Sequence, residues 1–229
     1  MRNNSISRII LFVLFYLLSI SLFNACDSTE PTDGTVSLSF SSGTTIQKGV
    51  NETFQLDAVK ILLKDVKIKH QSGKDGHPVK VGPFVVYLDL GGMTTDFAVG
   101  NIPAGTYDRV KFKIHKVGGN ETPPDPEFWE GNDSHLRYSV IVKGSYNLTP
   151  FVYKSRKSVK QDLKLEMPVE VGDSEIANLT IITDPYTWFY DDTTPLDPTD
   201  PNNESKIDKN IKESFKKCFK DDDHNGSGD

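Results

Sequence analysis

Residues 101–114 read Asn-Ile-Pro-Ala-Gly-Thr-Tyr-Asp-Arg-Val-Lys-Phe-Lys-Ile and combine a turn with a strand. The proline fixes φ, the glycine supplies the positive φ of a tight turn, and Tyr107 begins the next strand with its ring on the core. Val110, Phe112 and Ile114 then alternate with polar residues, which is the period of a strand with one buried face. This stretch predicts a turn that leads into a half-buried strand.

The same alternation of apolar and polar residues recurs along most of the chain. It is found in segments 35–41, 54–70, 84–90, 136–142, 163–171 and 179–183. About eight or nine such strands, with no helical pattern between them, predict an all-β fold. We expect an antiparallel β-sandwich of Ig-like or transthyretin-like type over residues 35–190.

Two positions predict irregular strands. The apolar face of segment 54–70 changes register near Lys64 and Asp65, which indicates a β-bulge or a break into two strands. Pro168 lies inside an alternating segment, and because proline has no N–H to donate, it predicts an edge strand or a bulge there.

The N-terminus has the pattern of an export signal. Arg2 and Arg8 flank a polar head, a largely apolar run of fifteen residues extends from Ile9 to Phe23, and the small residue Ala25 precedes Cys26. This run is shorter than the roughly 20 residues that a membrane-spanning helix needs. Residues 1–25 are therefore predicted to be a cleaved signal peptide.

The end of this signal resembles a bacterial lipobox. In Leu22-Phe23-Asn24-Ala25-Cys26 the small residue fits, whereas Phe23 stands where leucine is usual and Asn24 where alanine or serine is usual. The resemblance implies cleavage by signal peptidase II and acylation of Cys26, for example with palmitate. The alternative is an ordinary secretory signal cut after Ala25, which the bulky Phe23 disfavours.

A second resemblance lies in the strand region. Leu88-Asp89-Leu90, then residues 102–107 and the strand 109–112, resemble bacterial β-sandwich lipoproteins of the Bacteroidetes type, which carry a domain of unknown function. The acidic segment 26–34, a predicted tether, resembles the surface-export signals of such lipoproteins. The resemblance implies a lipid-anchored protein of the cell envelope, in the outer membrane or at the cell surface. It brings no catalytic residues.

Charge limits the class of partner. Removal of residues 1–25 takes two of the 26 basic side chains and none of the 32 acidic ones, which leaves a net charge of −8. This acidic balance argues against a nucleic-acid partner. Residues 154–160 nevertheless form a basic turn, which is either a solvated hairpin end or a contact for a polyanion or a lipid headgroup.

The sequence contains none of the common catalytic motifs, so we do not expect an enzyme. The predicted role is surface binding, adhesion or scaffolding. One alternative is glycan capture by the loop 117–135, in which Phe128 and Trp129 could stack on a sugar; the same pair could instead pin the loop to the sandwich. Another alternative is a fimbrial or assembly subunit built by strand addition.

The C-terminal region differs from the sandwich in composition. Residues 191–202 are rich in proline and aspartate and are predicted to be a linker. Residues 203–220 are predicted to be an amphipathic helix, whose apolar stripe buries the thiol of Cys218. The stripe consists of Ile207, Ile211, Phe215, Cys218 and Phe219.

Residues 221–229 form an acidic tail that matches the opening of a calcium loop. The spacing places oxygen ligands at alternate positions with glycine at the turn, and no organic cofactor is expected. A weak Ca²⁺ site and a solvated acidic tail are both compatible with this segment. The candidate ligands are Asp221, Asp223, Asn225 and Asp229.

Overall fold

The computed structural model describes residues 33–42, 53–73 and 76–228. These residues form thirteen strands and one α-helix. The strands are β1 Asp33–Ser41, β2 Phe54–His70, β3 His77–Lys80, β4 Phe84–Tyr87, β5 Thr94–Pro103, β6 Gly105–Ile114, β7 Val140–Tyr146, β8 Thr149–Ser155, β9 Val159–Val171, β10 Ile176–Ile182, β11 Tyr190–Asp191, β12 Thr194–Pro195 and β13 Lys217–Lys220, and the helix is α1 Glu204–Ser214.

The strands form two packed sheets and a small hairpin. One sheet has the order β13-β10-β1-β5, and the other follows the path β8-β7-β2-β6-β9 with β3 and β4 also paired to β2. β11 and β12 form the hairpin. The predicted all-β sandwich with a short C-terminal helix is thus confirmed.

One strand pair of the sandwich is parallel, whereas the other pairs between the described strands are antiparallel. β1 runs antiparallel to β5 but parallel to β10, with Val36 opposite Ala177 and Phe40 opposite Ile181. A parallel pair requires a long crossover, and here the chain passes through the larger sheet before β10 returns beside β1. β1 is consequently an internal strand with partners on both edges.

Phe40 joins the two sheets and the C-terminal segment. Its ring stacks on Phe97 of its own sheet, with 4.4 Å between ring centroids. It meets Phe112 of the opposite sheet at 5.8 Å and Phe215, just after α1, at 5.6 Å. Edge-to-face and offset-stacked pairs add about 0.5–1.5 kcal/mol each beyond the burial of their area.

The turn at residues 103–107 positions a core tyrosine as predicted. The ring of Tyr107 is fully buried, and its hydroxyl donates a 2.6 Å hydrogen bond to the carbonyl of Pro103. A buried phenol needs such a partner, so the turn satisfies the polar end of a ring whose body is in the core.

The long strand β2 has two different partners along one edge. Residues 54–61 pair with β7 and residues 63–70 pair with β6, while β4 and β3 pair with the opposite edge. The change falls at Leu62, whose N–H donates to Ser139 and whose carbonyl accepts from His115. We call this point the fork. Just beyond it, Asp65 has φ of 58° and the register shifts, which confirms the predicted bulge.

The predicted bulge at Pro168 is also present. Tyr107 pairs with Val169 and Arg109 with Lys164, so one residue of β6 lies opposite a four-residue stretch of β9 that contains the proline. The missing N–H of Pro168 therefore costs no hydrogen bond of the ladder.

The C-terminal elements differ from their predicted bounds. The helix predicted over residues 203–220 ends at Ser214, and Lys217–Lys220 instead forms β13, which pairs with β10. The stretch predicted as a linker, 191–202, contains part of a hairpin and the buried Leu196. No helix in the described part of the chain is long and apolar enough to cross a membrane.

A substitution at Gly144 of β7 tests the register of the larger sheet. It lies opposite Leu56, where β2 is irregular, and a Cβ placed there would be 2.2 Å from the carbonyl oxygen of Gln55. Because backbone cannot move aside as a side chain can, Gly144→Ala should destabilise the protein by about 2–3 kcal/mol. Urea unfolding of the purified protein measures this loss.

Ser145→Ala is the matched control, since Ser145 is the next residue of the same strand and is partly exposed. We expect it to change the free energy of unfolding by less than about 0.5 kcal/mol. Equal stabilities of the two variants would contradict the close approach of β2 and β7 at Gly144.

Candidate functional site

The loop predicted as a glycan site mainly covers the larger sheet at the fork. Phe128 has no exposed surface and packs in a small second core with Leu62, Val117, Tyr138 and Ile141. The main core contains Ile61 and Leu63, so the alternation along β2 places this second core on the outer face of the sheet. The assignment of Phe128 to a ligand surface is therefore corrected, because a residue without exposed surface cannot stack on a sugar.

The acidic side chains of this loop pair with lysines of the sheet beneath it. The ammonium of Lys60 on β2 lies 2.7 Å from Asp125. Burial opposes ionisation of Asp125, and hydrogen bonds from Lys60 and the Glu127 N–H outweigh it, so the pKa of this carboxyl is lowered. Further pairs hold the loop at Lys64–Glu121, Lys143–Glu127 and Lys154–Glu130.

Glu121 anchors the start of the loop. Its carboxylate lies 2.5 Å from Nε2 of His115, accepts a 2.9 Å hydrogen bond from the Gly118 N–H, and lies 3.2 Å from the Lys64 ammonium. Burial alone would raise the pKa of Glu121, but these hydrogen bonds outweigh it and lower the pKa to about 2. Glu121 is thus a structural carboxylate rather than a general acid.

Trp129 remains partly accessible. One face of its indole carries the guanidinium of Arg137, whose central carbon is 5.6 Å from the ring. The ring also lines a recess of about 320 Å³ together with residues 119–123, which we call the Trp129 recess. Of the two aromatic residues predicted to stack on a glycan, Trp129 alone can reach a ligand in solution.

The C-terminal loop is ordered around Asp221. Its buried carboxylate accepts the N–H groups of Asn225 and Gly226, and Asp223 also accepts from Asn225. Gly226 has φ of 79°, as the predicted turn requires. Asp229 lies outside the described residues, and within them no group of three or more His, Cys, Asp or Glu is arranged to hold a metal ion. Calcium binding here stays a prediction.

Only one of the two cysteines lies in the described part of the chain. Cys218 is fully buried, as predicted, but on strand β13 rather than on a helix. Burial raises the pKa of its thiol strongly, so the reactive thiolate is disfavoured. Cys26, the predicted lipidation site, lies outside the described residues.

A cationic cleft lies where α1 meets the β8–β9 turn. It is an open cleft of about 520 Å³, and four lysines line it together with Ser158 and Ser205. Two of the lysines come from the turn and its exit and two from the helix: Lys157, Lys160, Lys209 and Lys212. We call this site the lysine cleft. Within the described residues, none of these four ammonium groups forms an ion pair, in contrast to the lysines beneath the loop.

Both walls of the lysine cleft are fixed by hydrogen bonds. Arg156 makes a bidentate pair with Glu204 at 2.6 and 2.7 Å. The Gln161 amide donates to the carbonyl of Lys212 at 2.8 Å, and Ser139 donates to the carbonyl of Lys157 at 2.7 Å. The spacing between the two walls is therefore set by the fold before any ligand arrives.

Asp208 forms the floor between these walls. Its Oδ1 accepts hydrogen bonds from Tyr153 at 2.9 Å and Ser155 at 2.6 Å, while its Oδ2 is buried without a hydrogen-bond partner among the described residues. Burial raises the pKa of this carboxyl, and the two hydroxyl donors oppose the shift only in part.

The sequence alone indicates only one of the two walls of this cleft. The basic turn 154–160 is visible in the sequence, whereas the predicted helix is characterised there only by its apolar stripe. Ser205, Asp208, Lys209 and Lys212 recur at helical spacing, which places them on one face of α1. What the sequence could not supply is that this face meets the basic turn, because the two lie about 50 residues apart.

Different elements form the three candidate sites: the loop over the fork, the C-terminal loop, and the junction of α1 with the sheet. No protein-family model matches this chain, and comparisons with curated proteins and with solved structures also give no match. The resemblance to envelope lipoproteins therefore stays a prediction, and the function has to be argued from the geometry.

Glu121→Gln tests the anchoring of the loop. Because the folded-state pKa is depressed from about 4.5 to about 2, the ionised carboxylate stabilises the fold above pH 4.5. We expect the variant to lose on the order of 1–2 kcal/mol at pH 7, after allowance for solvent screening. Urea unfolding should show this difference shrinking from pH 4.5 downward and vanishing near pH 2.

Glu213→Gln is the control, because Glu213 is exposed on α1. Its free energy of unfolding should stay within about 0.5 kcal/mol of the wild type. A loss in Glu121→Gln that did not depend on pH would contradict the charged anchoring of the loop.

Proposed function

We propose that this chain is a non-catalytic binding protein of the bacterial cell envelope. In this proposal lipid on Cys26 holds the protein in the outer membrane or at the cell surface, and the sandwich is presented for binding, adhesion or scaffolding. Several acyl chains are needed for this, since one chain binds a membrane only marginally.

The anchor is supported by the order of features at the N-terminus. A positively charged head, an apolar run and Ala25-Cys26 are followed by the acidic segment 27–32, and β1 begins at Asp33. The few residues between the cysteine and the first strand would keep the sandwich close to the membrane surface.

The lysine cleft is the observation that carries the binding role. A chain with a formal net charge of −6 places four lysines without ion pairs around one concave site. Concave sites in which a few polar groups converge are the usual ligand sites of proteins.

The Trp129 recess supports glycan capture as a second candidate function. An indole with one partly open face is suited to stacking on a sugar ring, and the recess beside it offers space for a neighbouring residue. For an assembly subunit, in contrast, the first or last strand should be removable; β1 is paired on both edges, whereas β13 is an edge strand that pairs only with β10.

Cys26→Ala tests the anchor. The wild type should fractionate with membranes, and globomycin should cause its precursor to accumulate. The variant should lose both properties, because acylation requires the thiol. Cys218→Ala changes the other cysteine and should remain in the membrane fraction. Retention of Cys26→Ala in the membrane would show that the anchor lies elsewhere.

Trp129→Ala tests glycan capture. Affinity electrophoresis through gels that contain individual soluble polysaccharides should retard the wild type in at least one gel. The variant should migrate there as in the polysaccharide-free gel, since stacking of the sugar ring on the indole is lost. Met93→Ala removes a side chain that is 72% exposed elsewhere and should behave as the wild type. Equal retardation of all three proteins would contradict a site at Trp129.

A further inference from the structure

We infer that the lysine cleft binds a phosphate-bearing group of about sugar size. This inference deepens the binding role proposed above and rests on it. It is supported by the four lysines that line the cleft, by the fixed backbone of the cleft walls, and by the kind of anion that lysines select.

Four lysines from two different elements converge on the cleft. Elsewhere in the described chain many lysines pair with carboxylates, for example Lys60 with Asp125 at 2.7 Å and Lys111 with Asp162 at 2.7 Å. Four lysines and a single carboxyl, Asp208, line the cleft. The cleft thus concentrates positive potential on an otherwise acidic molecule, which attracts anions over several ångströms.

The backbone of both walls is held in a fixed arrangement. Lys209 and Lys212 lie on one face of α1, and the helix is held to the sheet by the Arg156–Glu204 pair and by the hydrogen bond from Gln161. A ligand that bridges both walls would have to order the lysine side chains but not the backbone that carries them, which lowers the cost of binding.

The donor set favours a phosphate over a planar carboxylate. Lysine ammonium groups act as point charges, whereas the planar guanidinium of arginine binds carboxylates through two parallel hydrogen bonds. Arg156, the nearest arginine, is committed to Glu204. Several ammonium groups together with the hydroxyls of Ser158 and Ser205 suit a compact anion with more than one negative charge. The volume of about 520 Å³ leaves room for the group that carries the phosphate.

Asp208 limits the affinity of this site. Its carboxyl lies beneath the lysines, and a negative charge there opposes an anion in the cleft. Asp208→Asn keeps an oxygen that can accept from Tyr153 and Ser155 while it removes the charge. We expect this variant to bind anions more tightly than the wild type, which a merely structural role of Asp208 would not produce.

The test is a calorimetric titration of the full-length protein in detergent with inorganic pyrophosphate and with glucose 6-phosphate. Lys160→Ala/Lys209→Ala removes one lysine from each wall and should weaken binding at least about tenfold. Lys67→Ala/Lys216→Ala removes the same charge from exposed positions outside the cleft and should change Kd less than about twofold. Asp208→Asn should lower Kd several-fold, and circular dichroism checks that each variant is folded.

A flotation assay identifies the source of the phosphate. Vesicles of phosphatidylcholine, with and without phosphatidylglycerol, are mixed with protein that lacks residues 1–32, since residues 33–229 form a compact unit of their own. Binding to anionic vesicles that the double cleft variant loses would identify a lipid headgroup. Binding of the soluble phosphates alone would identify a soluble phosphate ester.

The inference is overturned if neither probe binds, if the cleft and control variants weaken binding equally, or if Asp208→Asn weakens it. None of these results would affect the fractionation of Cys26→Ala. Failure of the cleft is thus distinguishable from failure of the proposed envelope anchor.

Discussion

The change of partner along β2 is the constraint on which the larger sheet depends. At Leu62 one edge of the strand passes from β7 to β6, and the chain leaves the sheet there as the loop that connects β6 to β7. Leu62 and Ile141 are apolar on the outer face of the sheet at this point, and water would reach them without a cover. The loop covers them with Phe128 and is held by lysine–carboxylate pairs. A loop that would be taken for a binding site is therefore mainly a structural cover.

The charges of the protein follow from the same arrangement. Lysines on β2, β7 and β8 face the carboxylates of the loop, and these partly buried pairs hold the loop on the sheet. No described carboxylate of the loop pairs with Lys157 or Lys160, and these two lysines line the cleft with lysines of α1 instead. Exposed ion pairs contribute little to the free energy of unfolding. The main consequence of the arrangement is therefore which lysines remain without a carboxylate partner.

The parts of the fold that could be predicted are those governed by local rules. The strands, the turn before Tyr107 and the bulges at Asp65 and Pro168 follow from alternation and backbone geometry over a few residues. The end of the helix could not be predicted in this way. The pattern that suggests a helix through Phe219 is overridden because Phe215 enters the aromatic cluster around Phe40 and the next residues pair with β10.

The candidate sites show the same division. The basic turn and Trp129 were visible in the sequence, whereas the burial of Phe128 and the meeting of the turn with α1 depend on contacts between distant segments. The parallel pairing of β1 with β10 also depends on distant segments, since nothing in the local sequence of either strand identifies its partner.

The docking of α1 connects the fold to the site. A helix of 11 residues is marginal on its own, and this one is held by the burial of Ile207 and Ile211 and by the hydroxyl donors on Asp208. Burying Asp208 is unfavourable by itself, as its raised pKa indicates, so packing has to outweigh that cost. The lysine cleft exists only while the helix is docked. A ligand that contacts both walls would bind only this docked state and would stabilise it by mass action.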